Sequence, residues 1–149
     1  MISKIVIFTD LDGTLLHNKT FKFENIRQYI KNLLSKNISI IPNSSKTKAE
    51  ILNFCQELEE ELPFIVENGA AIYKMNLVNS DFPEKIILSR DKDEILNVFF
   101  KKIPKELISK CKFVLKLKKD EQLKIFGLSE NQFCYASARE FPVALIFTG

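Results

Sequence analysis

The sequence predicts an α/β protein, a parallel sheet covered by helices, with a smaller α+β region following it. Three observations carry this reading. Ile5-Val6-Ile7-Phe8 is a β-branched and aromatic run, too short for a membrane span, that ends at Thr9-Asp10-Leu11-Asp12-Gly13-Thr14; this is the pattern of a buried parallel strand delivering acids to a loop. Up to about residue 75 such runs alternate with segments of helical period, as βαβ units do. Beyond it the alternation stops, which puts a boundary near residue 78 and divides the chain into 1–78 and 79–149. At 149 residues the chain suffices for one ordinary domain or two small ones.

The first strand sets the chemistry. Residues two apart in an extended segment point the same way, so Asp10 and Asp12 are expected to address one small volume at the strand's carboxyl end. Two acids there suit a divalent cation, because Mg²⁺ takes few protein oxygens and shares the rest of its shell with phosphate and water. A carboxylate can also attack phosphorus while its neighbour protonates the leaving oxygen. Gly13 supplies a tight turn and Thr14 a hydroxyl to fix it. The plainer alternative is an Asx-type turn whose acids are merely solvated.

Glu24 to Lys36 places Ile26, Tyr29, Ile30, Leu33 and Leu34 at helical spacing, a crossover helix able to cover a sheet. His17, the single histidine, has no companions at ligand spacing and reads as an ordinary loop residue. Ile38 to Ile41 is the next strand, and Pro42-Asn43-Ser44-Ser45-Lys46-Thr47 follows it. Small hydroxyl residues past a parallel strand can hold a phosphate while the next helix N-terminus adds its positive end. Thr47-Lys48-Ala49-Glu50 is a capping-box pattern, so a helix from about Thr47 to Leu62 is expected, with Ile51, Leu52, Cys55 and Leu58 buried. Pro63 to Tyr73 then reads as a strand, an Asn68-Gly69 turn and a second strand.

From Asn76 to Arg90 there is no clear period. Asp91 to Ile103 opens with an Asp-x-x-Glu cap and carries Ile95, Leu96, Phe99 and Ile103 as an apolar face. Lys112 to Lys118 alternates, with Phe113, Leu115 and Leu117 on one side and Val114 as the exception, so a half-exposed strand is expected. Asp120 to Phe126 is a short helix closed by Gly127, Ser129 to Gln132 is a capping box opening a helix to about Arg139, and Pro142 to Phe147 is a final strand.

Composition excludes several classes. With 46% hydrophobic and 28% charged residues the chain is of the soluble globular type. Its net charge of +3 is too small to argue for nucleic acid. The whole excess lies after residue 78; Lys101 to Lys119 contains eight lysines against Glu106 alone, a solvated face or an aid in attracting an anionic substrate. Cys55, Cys111 and Cys134 are odd in number and widely spaced, which suits free thiols in a reducing compartment. Met1 leads straight into the first strand with no leader pattern or apolar stretch of membrane length, so a cytoplasmic location is expected.

The Asp10-Leu11-Asp12-Gly13-Thr14 segment resembles the first motif of the haloacid dehalogenase (HAD) superfamily of phosphohydrolases. The resemblance implies a Rossmannoid parallel-sheet core, here incomplete, with an inserted, partial α+β cap domain. It implies Asp10 as nucleophile, Asp12 as general acid/base, and Mg²⁺ held by the Asp10 side chain and the Asp12 carbonyl. Ser44-Ser45-Lys46-Thr47 followed by Glu50 is similar to the second motif of the mannosyl-3-phosphoglycerate phosphatase branch, which places Ser44 as the phosphate-binding hydroxyl, with Ser45 beside it and Lys46 facing an anionic substrate. Pro63 to Ile72 is similar to the equivalent segment there, making Asn68 a candidate for substrate contact. Glu121 to Pro142 resembles a stretch of that branch's cap, which makes Arg139 a candidate for a substrate carboxylate or phosphate, since a guanidinium fork suits both.

The branch also carries a phosphate-binding lysine and a Gly-Asp-x-x-Asp-type acidic loop after the cap, and no Gly-Asp pair occurs in this sequence. The expectation is therefore a phosphomonoester hydrolase acting on a sugar phosphate, most simply mannosyl-3-phosphoglycerate. The alternative is a weak or inactive fragment that binds a phosphorylated ligand or a complementing chain; phosphoryl transfer to another sugar is a further one. The expected partners are a small-molecule sugar phosphate and either a second copy or a complementing C-terminal chain, without nucleic acid or membrane.

Overall fold

The computed structural model describes residues 5–17, 20, 22–141 and 144–148. It divides into two units, Met1–Leu88 and Ser89–Gly149. The division falls after Leu88 and not near residue 78, because the stretch without a clear period contains a strand, Lys85–Ile87, that pairs back onto the first unit.

In the first unit, β1 (Ile5–Thr9) pairs in parallel with β2 (Ile38–Pro42), in a register running from Ile5 opposite Ile38 to Thr9 opposite Pro42. Helix α1 (Glu24–Ser35) connects them, as a parallel pair requires. Its buried anchor is Ile30, while Tyr29, expected on the apolar face, is 65% exposed. Helix α2 (Lys48–Leu58) starts at Thr47 as expected: Thr47 Oγ1 accepts from Glu50 N at 3.2 Å and Glu50 Oε2 accepts from Thr47 N at 2.9 Å. It ends at Leu58 instead of Leu62, at Glu59 with φ 61°, and buries Ile51, Phe54, Cys55 and Leu58; Leu52 points out.

Strands β3 (Phe64–Val66), β4 (Ala71–Tyr73) and β5 (Lys85–Ile87) form an antiparallel sheet. Glu67, Asn68 and Gly69 all have positive φ (52°, 61° and 90°) in the β3–β4 turn, a region that asparagine and glycine tolerate best. One parallel bridge, Asn43 to Ile65, joins the loop after β2 to β3. The core gathers Leu11, Ile30, Ile41, Ile51, Leu58, Leu62, Phe64 and Val66, all at most 1% exposed, with Phe23 edge-on to Phe54 and Phe64 stacked on Tyr73.

The expectation of a buried first strand fails. β1 is exposed along its length, at 55%, 37%, 36% and 60% for Ile5, Val6, Ile7 and Phe8, because β2 is its one partner among the described residues.

In the second unit, α3 (Lys92–Lys102) has Asp91 as its cap, Oδ1 accepting from Asp93 N at 2.8 Å, and none of its residues is fully buried. After α4 (Lys105–Ile108), the expected long strand is only β6 (Cys111–Phe113) before a 3₁₀ turn over Val114–Lys116. Val114, the exception to the alternation, is the buried residue at 3%; the turn rotates it inward and its N–H donates to Ala144 O. Helix α5 (Lys119–Phe126) ends at Gly127, φ 63°. Helix α6 (Glu130–Ala136) has the expected Ser129–Gln132 capping box but stops three residues before Arg139. β7 (Leu145–Phe147) pairs antiparallel with β6; positions 142 and 143 of the expected strand lie outside the described residues. All eight lysines of 101–119 are exposed, as a solvated face requires. No helix among the described residues is long and apolar enough to cross a membrane.

Candidate active site

Three loops of the first unit meet at one cleft of about 510 Å³. The loop after β1 brings Asp10, the loop after β2 brings Asn43, Ser44 and Ser45, and the β3–β4 turn brings Asn68 and Gly69. Ile65, Ile72 and Leu88 form its apolar side.

Backbone bonds fix this meeting. Asn43 N donates to Thr9 O at 2.8 Å, tying the second loop to the end of β1. Asn68 N donates to Ser44 O at 3.1 Å and Glu67 N to Lys46 O at 3.0 Å, which zips the turn to the second loop. Ser44 is 3% exposed and its Oγ accepts from Lys46 N at 3.2 Å, so its hydroxyl is held rather than free to rotate into water. Asp10 is exposed at the cleft, and among the described residues no hydrogen bond or ion pair engages its carboxylate.

Asp12 does something else. β1 ends at Thr9, and Leu11 to Leu16 close into a turn in which Gly13, with φ 77°, donates to Leu16 O, and Thr14 and Leu16 donate to Leu11 O. The two acids are thus not on one strand face, and Asp12 does not line the cleft. Its Oδ1 is shut off from water, out of line for a hydrogen bond, with Lys46 Nζ 3.2 Å away; the side chain as a whole stays 38% exposed. Lys46 Nζ is also 3.2 Å from Glu50 Oε1, so this lysine, expected to face a substrate, lies between two carboxylates. The three bonds of the turn use the Leu11 and Leu16 carbonyls and not that of Asp12.

Two further candidates fall elsewhere. Thr14 borders a separate hollow with Leu16, His17, Phe23 and Glu24. Arg139 belongs to the second unit, beyond the end of α6, with its Nε buried and no hydrogen-bond partner among the described residues. The sequence reading missed Asn43 and the apolar side. Asn43 was legible as the residue directly after β2; Ile72 and Leu88 depend on β4 and β5 pairing, which no local pattern announces.

As a donor set, an exposed carboxylate and a backbone carbonyl two residues on suit a hard cation that takes one or two protein oxygens and fills its shell with phosphate and water. Among the described residues no group of three His, Cys, Asp or Glu gathers to hold a metal alone.

Residues 7–124 match the family model described as haloacid dehalogenase-like hydrolase. The chain is similar to a protein of Persephonella marina named glucosyl-3-phosphoglycerate/mannosyl-3-phosphoglycerate phosphatase, 45% identical over 46% of this chain and 26% of that protein. A protein of the same name from Methanococcoides burtonii is 46% identical over 47% of this chain and 26% of its own length. The match thus spans about a quarter of the curated relatives. A solved haloacid dehalogenase-like hydrolase from B. subtilis is 21% identical over 64% of this chain and 32% of that one, with a TM-score of 0.49.

Proposed function

The chain belongs to the haloacid dehalogenase-like hydrolases, and on that premise we propose that it carries the nucleophile half of a Mg²⁺-dependent phosphatase acting on a glycosyl-3-phosphoglycerate. The observation that carries this is the convergence of Asp10, Ser44, Ser45 and Asn68, from three loops, on one cleft. An exposed carboxylate beside a buried and an exposed hydroxyl and an amide is the donor and acceptor set a phosphate monoester needs. The names of the relatives supply the substrate class.

In the proposed reaction an Asp10 carboxylate oxygen attacks phosphorus in line, the P–O bond to the glycosyl-glycerate breaks, and Asp12 gives its proton to the departing alkoxide. Water then attacks the aspartyl-phosphate, Asp12 takes up its proton, and Asp10 is restored. Ser44, Ser45 and Asn68 hold phosphate oxygens through this sequence. The Asp10 carboxylate and the Asp12 carbonyl would hold Mg²⁺, which when bound supplies positive charge to the phosphoryl oxygens. In this reading Asp12 acts through its other carboxylate oxygen, Oδ1 being turned to Lys46.

The bare β1 favours a second reading, in which the chain acts by binding a complementing chain or a second copy of itself. Four adjoining apolar residues left 36–60% exposed forgo on the order of 1 kcal/mol each relative to full burial.

The test is Mg²⁺-dependent phosphate release from glucosyl- and mannosyl-3-phosphoglycerate and a panel of simple sugar phosphates, beside Asp10→Asn. Release confined to the glycosyl-phosphoglycerates and absent in the variant supports the proposal. Equal release by both proteins removes Asp10 from the chemistry, and no release from folded protein leaves the binding reading.

A further inference from the structure

We infer that Glu50, which caps α2, is also a positioning residue that sets the Asp12 carboxylate through Lys46. The inference rests on the phosphatase reading for its catalytic consequence, but its structural content stands on the geometry alone.

Glu50 is 14% exposed and its two oxygens serve two different donors. Oε2 accepts from Thr47 N at 2.9 Å, closing the capping box. Oε1 accepts from Lys46 Nζ at 3.2 Å. Lys46 Nζ, with a side chain 13% exposed, reaches in turn to Asp12 Oδ1 at 3.2 Å. A rigid element, the first turn of α2, is thereby linked through two charges to the turn that carries Asp12. Rotamers locked from behind in this way are what hold a reacting group in its productive geometry.

Chemistry says why the residue is glutamate. A capping box accepts glutamine as readily as glutamate, so the helix start alone does not require a carboxylate. An amide has one acceptor oxygen, whereas this site has two donors to satisfy. The carboxylate is the side chain that caps α2 and holds Lys46 at the same time. Without that hold, the ammonium is kept less firmly beside Asp12 Oδ1, a desolvated oxygen for which no hydrogen-bond partner exists among the described residues and whose charge is costly to leave uncompensated.

Glu50→Gln separates the two roles. Its single oxygen keeps the cap, so the variant is expected to fold with α2 intact, seen as an unchanged circular dichroism spectrum and a cooperative melt, while Lys46 loses the Glu50 carboxylate. Two readouts follow. Acylation of Lys46 by an amine-reactive reagent, followed by peptide mass spectrometry, is expected to run several-fold faster in the variant. In the phosphatase assay kcat is expected to fall about tenfold or more, with KM changed much less, since Asp12 acts on the leaving group and not on binding. Unchanged Lys46 acylation overturns the inference, as does faster acylation with kcat intact. If neither protein releases phosphate, the phosphatase reading has failed on its own, and the acylation rate still decides whether Glu50 holds Lys46.

Discussion

At the scale of the residue, Cys55 gives the sharpest handle on stability. Burial pushes its thiol above the ordinary cysteine range, and this outweighs the hydrogen bond with the Leu62 backbone and the field of Lys74 that pull it down. The folded pKa is raised, so below about pH 8.5, the ordinary thiol value, both states are protonated and nothing is lost. As pH rises past that value the unfolded chain ionises first and the native state loses ground. Melting temperature is thus expected to decline above about pH 8.5, and to decline less steeply in Cys55→Ala. Thermal melts across that range check it, and equal slopes in the two proteins would exclude Cys55 as the cause. The same scale shows what the sequence could reveal of the site. Asp10, Ser44 and Ser45 were legible because each follows a strand signal, and Asn68 through the resemblance of its turn to the phosphatase branch. The engagement of Asp12 and Lys46 with each other was not, since their meeting is set by how two loops pack and not by spacing within either.

At the scale of the element, local signals held wherever a hydrogen bond closes within a few residues. The Thr47–Glu50 and Ser129–Gln132 boxes and the Gly127 terminus all lie where the pattern puts them. Elements defined by distant partners did not: β5 has no alternating pattern of its own and exists because Tyr73 and Ala71 pair with Lys85 and Ile87. The apolar run of β1 was read correctly as a parallel strand and wrongly as a buried one, because composition reports what a strand is built to bury and not whether the cover is present. That exposure leads to an expectation about association. A charge on an apolar edge is the usual device against edge pairing. Phe8→Lys, at a residue 60% exposed, is therefore expected to cut self-association, or capture of a complementing chain, without a comparable loss of melting temperature. Light scattering after size exclusion measures it; a parent that stays monomeric at high micromolar concentration and binds no complementing chain would contradict the role given to β1.

At the scale of the whole molecule, the first unit holds the cleft lined by Asp10, Ser44, Ser45 and Asn68, the site to which the proposed chemistry is assigned, while Arg139 and the lysine-rich surface belong to the second. No Gly-Asp pair occurs in the sequence, so the acidic loop that the resemblance implies is not among these residues, and the match spans about a quarter of the curated relatives. The most direct measurement is whether phosphate becomes covalently attached to Asp10. Protein mixed with Mg²⁺ and glucosyl- or mannosyl-3-phosphoglycerate would be quenched in acid, where an acyl-phosphate survives long enough for peptide mapping by mass spectrometry. The expected result is a phosphorylated peptide containing Asp10, lost on brief exposure to hydroxylamine and absent in Asp10→Asn. Phosphate release with no such peptide under rapid quench, or a label on another residue, would contradict Asp10 as the nucleophile.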